Sequence, residues 1–475
     1  MKLTIWVGMV LGLTLICLSV VGAAAGWPAP VSEGGSETVK SLLSADNVRS
    51  LLTQAPTIAT GFPPFGTIML VSIGASIAVL SGLIEDFARL VSRISSRALA
   101  TPLVFSLGLL AHQLSDALIL VYLPACAMIF SHHGRHPALG VLAGFAAFSG
   151  ALYASFGPGL QDLVLLGITH QAAQAAGLEW AFNPLANWWF SAASAVALLF
   201  AGWVVTDRVL ERTPRFRPAP PQTDEMNPNG LGLVAAAAAG AVVLAIYAGL
   251  SLGQAAPLAD YRAHSLARHT PAFEAGAAFL TLLLMSMGLA YAVSARRWRS
   301  AEDVYQALTY GMERLAPFFL MAVFIGFLLA MIDLSRLGDA AVTALTLGLR
   351  ESRADQVVLI AALTGTTAIL DFIVFSASAK WALMAPTLIP AFAQAGLSPE
   401  LVTASFRLGD SVANILNPLQ PAAALAILNV RRWAPEISLG RFLACMALYA
   451  IAYSLVGGGL LALWIARGWA FGPFT

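Results

Sequence analysis

Charge is the scarcest ingredient of this chain of 475 residues. Aspartate, glutamate, lysine and arginine together make up 11% of it, where soluble globular proteins carry about a quarter. A wholly water-facing surface cannot be built at that density, so a soluble enzyme or binding domain is excluded. Cysteine is nearly as sparse: Cys17, Cys126 and Cys445 each lie in an apolar run, without the spacing of a zinc site or a disulfide framework. The phosphate loop, the nucleophile elbow and the zinc-protease helix motif are missing too, which leaves no familiar centre for nucleotide or hydrolytic chemistry. A formal net charge of +1 provides no basic excess for a nucleic-acid partner.

What the chain has in abundance is apolar length. It is 58% hydrophobic, with a mean hydropathy of +0.77, and its natural partner is the lipid bilayer. Spans fall near 3–25, 61–84, 101–131, 138–168, 187–206, 230–253, 272–294, 315–332, 355–395, 399–428 and 439–465. The first has small residues at its end, as a cleaved signal would, but its apolar run is longer than a signal core and reads as a retained helix. Two spans are interrupted by polar residues: 101–131 by His112, Gln113, Ser115 and Asp116, and 355–395 by Asp371, Ser376, Ser378 and Lys380. If these two dip in and return while the rest cross once, basic residues favour the cytoplasmic side by about two to one. The expected fold is therefore an all-α polytopic membrane protein of nine transmembrane helices and two re-entrant hairpins, with the N-terminus cytoplasmic and the C-terminus periplasmic.

Each hairpin is followed by a broken helix. The first breaks at Ser155-Phe-Gly157-Pro158-Gly159, shortly before Asp162, and the second at Pro418. Each hairpin also carries an acidic residue near its bend, Asp116 and Asp371. Such units entered from opposite faces make an inverted repeat, the plan of an alternating-access carrier. The halves are expected at 1–206 and 230–475, joined by a proline-rich cytoplasmic linker at 207–229.

The decisive stretch is Arg407-Leu-Gly-Asp410-Ser-Val-Ala-Asn414-Ile-Leu-Asn417-Pro418-Leu-Gln420-Pro421. Helical steps place Arg407, Asp410, Asn414 and Asn417 on one face, and Pro418 then removes the amide that would bond back to Asn414. One charge at mid-bilayer costs roughly 2.5–3.5 kcal/mol on insertion scales. Either Arg407 and Asp410 neutralise each other as a structural pair, or the broken helix lines a solvated binding site; the asparagines and the interrupted backbone favour the site.

For a substrate with carboxylates and an aromatic ring, Arg407 offers a two-pronged clamp, Trp381 a flat wall, and Ser378 and the asparagines hydrogen bonds. Lys380 reads as a snorkelling side chain more readily than as an anion partner. A coupling sodium ion could take oxygens from Asp371, Asp410 and Asn414. A coupling proton would need a carboxylate with its pKa raised by burial, and Asp116 with His112 one turn earlier is a candidate relay. His132, His133 and His136 cluster at a helix end without an acidic or cysteine partner nearby, which argues against a metal centre. An intramembrane aspartyl protease would need two aspartates sharing a proton, and a channel would need a continuous pore; both fit less well.

The runs Ser376-Ala-Ser-Ala-Lys-Trp381, Ser398-Pro399-Glu400 and Phe406-Arg407-Leu-Gly-Asp410, with Ser81-Gly82, Gly134-Arg-His-Pro137 and Asn183-Pro-Leu-Ala-Asn187-Trp188, resemble the p-aminobenzoyl-glutamate transporter (AbgT) family over about residues 41–465. The resemblance implies a homodimer in the bacterial inner membrane that moves p-aminobenzoyl-glutamate-like compounds or exports sulfonamide antimetabolites, coupled to sodium or protons, with no further cofactor. A carrier of another small organic anion, such as a dicarboxylate, is the alternative. Positions implicated in transport correspond to Asp162, Ser378, Trp381, Pro399, Arg407, Asp410 and Pro418. The chain departs from the family pattern at Asp371, where asparagine is expected, and in the wider spacing of Asp162 from Gly157-Pro158.

Overall fold

The computed structural model describes residues 2–29, 37–61, 64–157, 159–216, 227–252, 256–260, 270–351, 355–372, 374 and 376–473. Pro158 and residues 217–226 of the expected linker lie outside these. Among the described residues all regular structure is helical, apart from one isolated bridge between Pro28 and Thr38.

Among the described residues five helices are long and apolar enough to cross a membrane: Trp188–Leu210, Gly230–Ser251, Gly276–Ser294, Phe318–Ser335 and Leu439–Arg467. A sixth candidate is a bent pair, Phe65–Leu80 and Leu83–Ile94, whose axes meet at 63°. The bend falls at the end of the apolar span expected near 61–84. Its cause is Gly82, which holds a left-handed φ of 88°. A Cβ there would also collide with the Arg297 guanidinium.

Both interrupted segments are present. The first is Ala100–Leu114, a 3-10 turn at Asp116–Leu118, then Ile119–His132; the second is Gln356–Asp371 followed by Ala377–Gln394. In each, the two arms touch, and none of the four reaches the roughly 20 residues of a full span. Both broken helices are present as well: Pro137–Ser149 resumes at Leu160–Ala175, and Pro399–Leu416 resumes at Pro421–Trp433. The Trp188–Trp203 helix runs on as a π-helix over Val204–Leu210, into the first residues of the expected linker. Asp207 on that extension joins Glu211 in holding the buried Arg135 at 2.5 and 2.9 Å, which ties it to the end of the first hairpin.

The helices sort into two groups. Pro64–Leu80, Gly230–Ser251, Gly276–Ser294 and Ala301–Ser335 pack side by side, with Lys2–Ala24 against the last. Both hairpins, both broken helices, Trp188–Trp203 and Leu439–Arg467 form the other group, which contains most of the fully buried side chains. The main cavity lies between the groups.

Candidate functional site

The site is organised by the helix Pro399–Leu416. Ser398 Oγ accepts from the Leu401 amide, and Pro399 occupies the first turn, where a missing N–H costs nothing. Gly409 allows close approach of Gln356–Asp371: a Cβ on it would stand 2.2 Å from the Thr364 carbonyl oxygen. The helix stops at Leu416. Asn417 then leaves helical geometry but stays buried, its Oδ1 accepting from the Leu419 amide (3.0 Å) and its Nδ2 donating to the Asp371 carbonyl (2.7 Å).

Two buried ion clusters depend from this helix. In one, Arg407 Nη1 lies 2.7 Å from Asp162 Oδ1, and Arg407 Nε donates to the Leu152 carbonyl at 2.8 Å. Asp162 also accepts from the Gly159 amide at 2.7 Å, closing the first turn of its own helix. In the other, Lys380 Nζ stands 2.7 Å from Asp371 Oδ1 and 2.6 Å from Asp410 Oδ1, with all three side chains at 0% exposure. Asn414 donates to Asp410 Oδ2 at 2.8 Å and accepts from Gln420. The cost of desolvating these charges is offset only because each has an opposite charge at contact distance.

A cavity of about 870 Å³ opens beside the second cluster. Asp410, Asn414, Gln420, Ser376 and Ser378 line one side, His112, Asp116 and Gln161 another, and Ile68, Leu329 and Phe148 provide apolar wall. At the far end Arg336 is paired with Asp339 at 3.0 Å. A smaller cavity of about 60 Å³ holds Asp162 and Arg407, and shares His112, Asp116, Leu152 and Gln161 with the larger one.

The structure thus brings Asp116, Ser378, Asp410 and Asn414 to one cavity, and Asp162 with Arg407 to the adjoining one. Asp116 is 65% exposed and lies 3.3 Å from His112 Nδ1, as its spacing predicts. Pro399 and Pro418 act on the backbone, one starting the helix and the other lying just past its end. Two readings change and one alternative falls away. Arg407 and Asp410 do not pair with each other; their partners are Asp162 and Lys380. Lys380 does not snorkel; it is buried between two carboxylates. Trp381 presents no wall to the cavity: it is 0% exposed, packed on Phe406 at 4.5 Å and donating to Thr169 Oγ1 at 2.9 Å. His133 Nε2 meets Ser95 Oγ, and His136 Nδ1 accepts from the Ala138 amide.

Sequence reasoning underrated Lys380 and missed Thr169 and the Leu152 carbonyl. A lysine deep in an apolar span with an aspartate nine residues earlier was the available signal, since such a charge needs a named partner. Thr169 and Leu152 carried no signal, because their roles come from contact between distant segments.

The whole chain, residues 1–475, matches the model of the AbgT putative transporter family. It belongs to that family. Family members are transporters rather than enzymes, and this is a multi-pass membrane transporter. It is 27% identical over 477 residues to the p-aminobenzoyl-glutamate transport protein of Escherichia coli (strain K12), covering 99% of this chain and 92% of that one. Its fold is similar to the YdaH transporter of Alcanivorax borkumensis, whose crystal structure is described as having an unusual topology. That likeness has a TM-score of 0.60 and 28% identity, over 99% of this chain and 100% of the other. It is also similar to MtrF of Neisseria gonorrhoeae, described as illuminating a class of antimetabolite efflux pumps, with a TM-score of 0.57 and 28% identity over 97% and 94% of the two chains.

Proposed function

We propose that this AbgT-family protein is a cation-coupled secondary transporter of p-aminobenzoyl-glutamate-like aromatic carboxylates, with sulfonamide antimetabolites as further cargo. The observation that carries this is the pair of adjacent cavities that share His112, Asp116, Leu152 and Gln161. The larger combines apolar wall with Ser378, Asn414 and Asp410, and the smaller presents Arg407. A substrate ring fits the first, while a carboxylate takes Arg407 from Asp162 in the second. The E. coli relative's name and the description of MtrF support the two substrate classes. In this reading Trp381 serves by holding Thr169, and Asp116 with His112 forms the polar wall between the cavities. The reading includes nine crossing helices and two re-entrant hairpins, an inner-membrane location with a cytoplasmic N-terminus, and assembly as a homodimer.

Counterflow in proteoliposomes tests it. Vesicles preloaded with unlabelled p-aminobenzoyl-glutamate, or with a sulfonamide, should accumulate the labelled compound transiently and saturably without an ion gradient. Uptake that never saturates, or no exchange of either compound, refutes the carrier reading.

A further inference from the structure

The buried cluster of Asp371, Lys380 and Asp410 has the acidic residues of a sodium site, yet an ammonium already stands at contact distance from both carboxylates. Asp371 Oδ1 and Asp410 Oδ1 both face Lys380 Nζ, at 2.7 and 2.6 Å. Asp410 Oδ2 accepts from Asn414 Nδ2 at 2.8 Å, and Asp371 Oδ2 faces Asn417 Nδ2 at 3.4 Å. The amide oxygens are also taken: Asn414 Oδ1 by Gln420 Nε2, and Asn417 Oδ1 by the Leu419 amide. Three of the four carboxylate oxygens and both asparagine amide oxygens therefore accept an N–H, and the fourth, Asp410 Oδ1, has no hydrogen-bond donor and is held by its ion pair with Lys380. A hard cation needs several oxygens turned toward it, and here the point between the two carboxylates is filled by an ammonium.

We infer that Lys380 is the resident cation of this site, so that sodium does not bind between Asp371 and Asp410. The ammonium is carried on one arm of the second hairpin. It clamps the end of the other arm, at Asp371, to the helix that presents Asp410 to the cavity. That tethered charge does the bridging a bound ion would do, and Asp371, where the family resemblance leads one to expect asparagine, gives the lysine its second carboxylate. The inference rests on the carrier reading only for its consequence, which is transport indifferent to sodium.

The test uses the purified full-length protein and compares sodium chloride with potassium chloride at equal ionic strength. Thermal unfolding of the unaltered protein should shift by less than about 1 °C between roughly 100 mM of either salt, because a ligand that binds only the folded state must raise its stability. Counterflow rates should likewise agree in the two salts. A saturable sodium-specific rise in the unfolding temperature, or sodium-stimulated counterflow, overturns the inference. The double variant Asp371→Asn/Lys380→Gln removes one charge of each sign and leaves Asp410 with two amide oxygens nearby. It should acquire a saturable sodium-specific rise of several degrees, and a folded double variant indifferent to sodium also overturns the inference. If it cannot be purified, the unaltered protein decides alone. Absence of counterflow with both substrates would instead refute the carrier reading, leaving the unfolding measurement to judge the site.

Discussion

Arg407 on Pro399–Leu416 and Asp162 on Leu160–Ala175 meet with Nη1 2.7 Å from Oδ1 in a place almost closed to solvent. In the proposed cycle the substrate carboxylate competes with Asp162 for the guanidinium. Arg407→Ala should reduce counterflow of both p-aminobenzoyl-glutamate and sulfonamide to background, while the protein still inserts. It leaves Asp162 as a buried charge without its partner, at a cost of about 3–5 kcal/mol. Asp162→Asn/Arg407→Gln should recover most of that stability without recovering transport. Near-normal flux in Arg407→Ala would rule out the clamp.

The lysine cluster predicts an order of stabilities. Lys380→Met strands two buried carboxylates and should cost about 3–5 kcal/mol or more. Asp371→Asn keeps the Lys380–Asp410 pair and should cost about 1 kcal/mol. Unfolding midpoints in detergent read the order directly, and a Lys380→Met variant as stable as the unaltered protein would contradict it.

Gly409 is the contact point between its own helix and Gln356–Asp371, where an added methyl meets backbone rather than a yielding side chain. Gly409→Ala should destabilise by about 1–3 kcal/mol. Gly459→Ala, in the last helix with nothing within 4 Å of the added atom, should be neutral or stabilising by up to about 1 kcal/mol. Equal unfolding temperatures for the two variants would remove close packing as the reason for glycine at 409.

The His136 imidazole caps the Pro137–Ser149 helix, and burial holds its pKa below the usual 6.5, with Glu436 opposing in part. The unfolded chain therefore takes up the proton first as pH falls. Stability that this group contributes above pH 6.5 is lost as pH drops toward the lower folded value. His136→Asn retains a side-chain acceptor for the cap and does not titrate. Its unfolding temperature should decline less between about pH 7.5 and 5.5 than that of the unaltered protein. Identical slopes would show that another group governs the acid limb.

The element plan was readable because breaks within apolar spans are expensive and leave a clear signature. The helices are interrupted where Asp116, Gly157, Asp371 and Pro418 announce it. The bend at Gly82 was hidden, since a glycine inside an apolar run looks alike whether it packs, kinks or merely continues a helix. Residues of the site could be named, but not their partners. Helical periodicity places Arg407 and Asp410 on a common face, whereas their pairing is decided by Asp162 and Lys380 on other helices. Trp381 misled for a related reason: an indole beside a polar motif suits a substrate wall and a buried core equally, and only its contact with Phe406 separates them.

The links between the two halves constrain how this molecule can move. Arg407 to Asp162, Thr403 to Thr169 at 2.9 Å, Trp381 to Thr169, and the Tyr153 amide to Ser411 at 3.2 Å rivet one repeat to the other. Prising the repeats apart would tear all of these at once. In the proposed carrier the seam free to slide would be the greasy one along Ile68, Gly326 and Leu329, with the riveted block as a single carriage and the neighbouring helices as its rail.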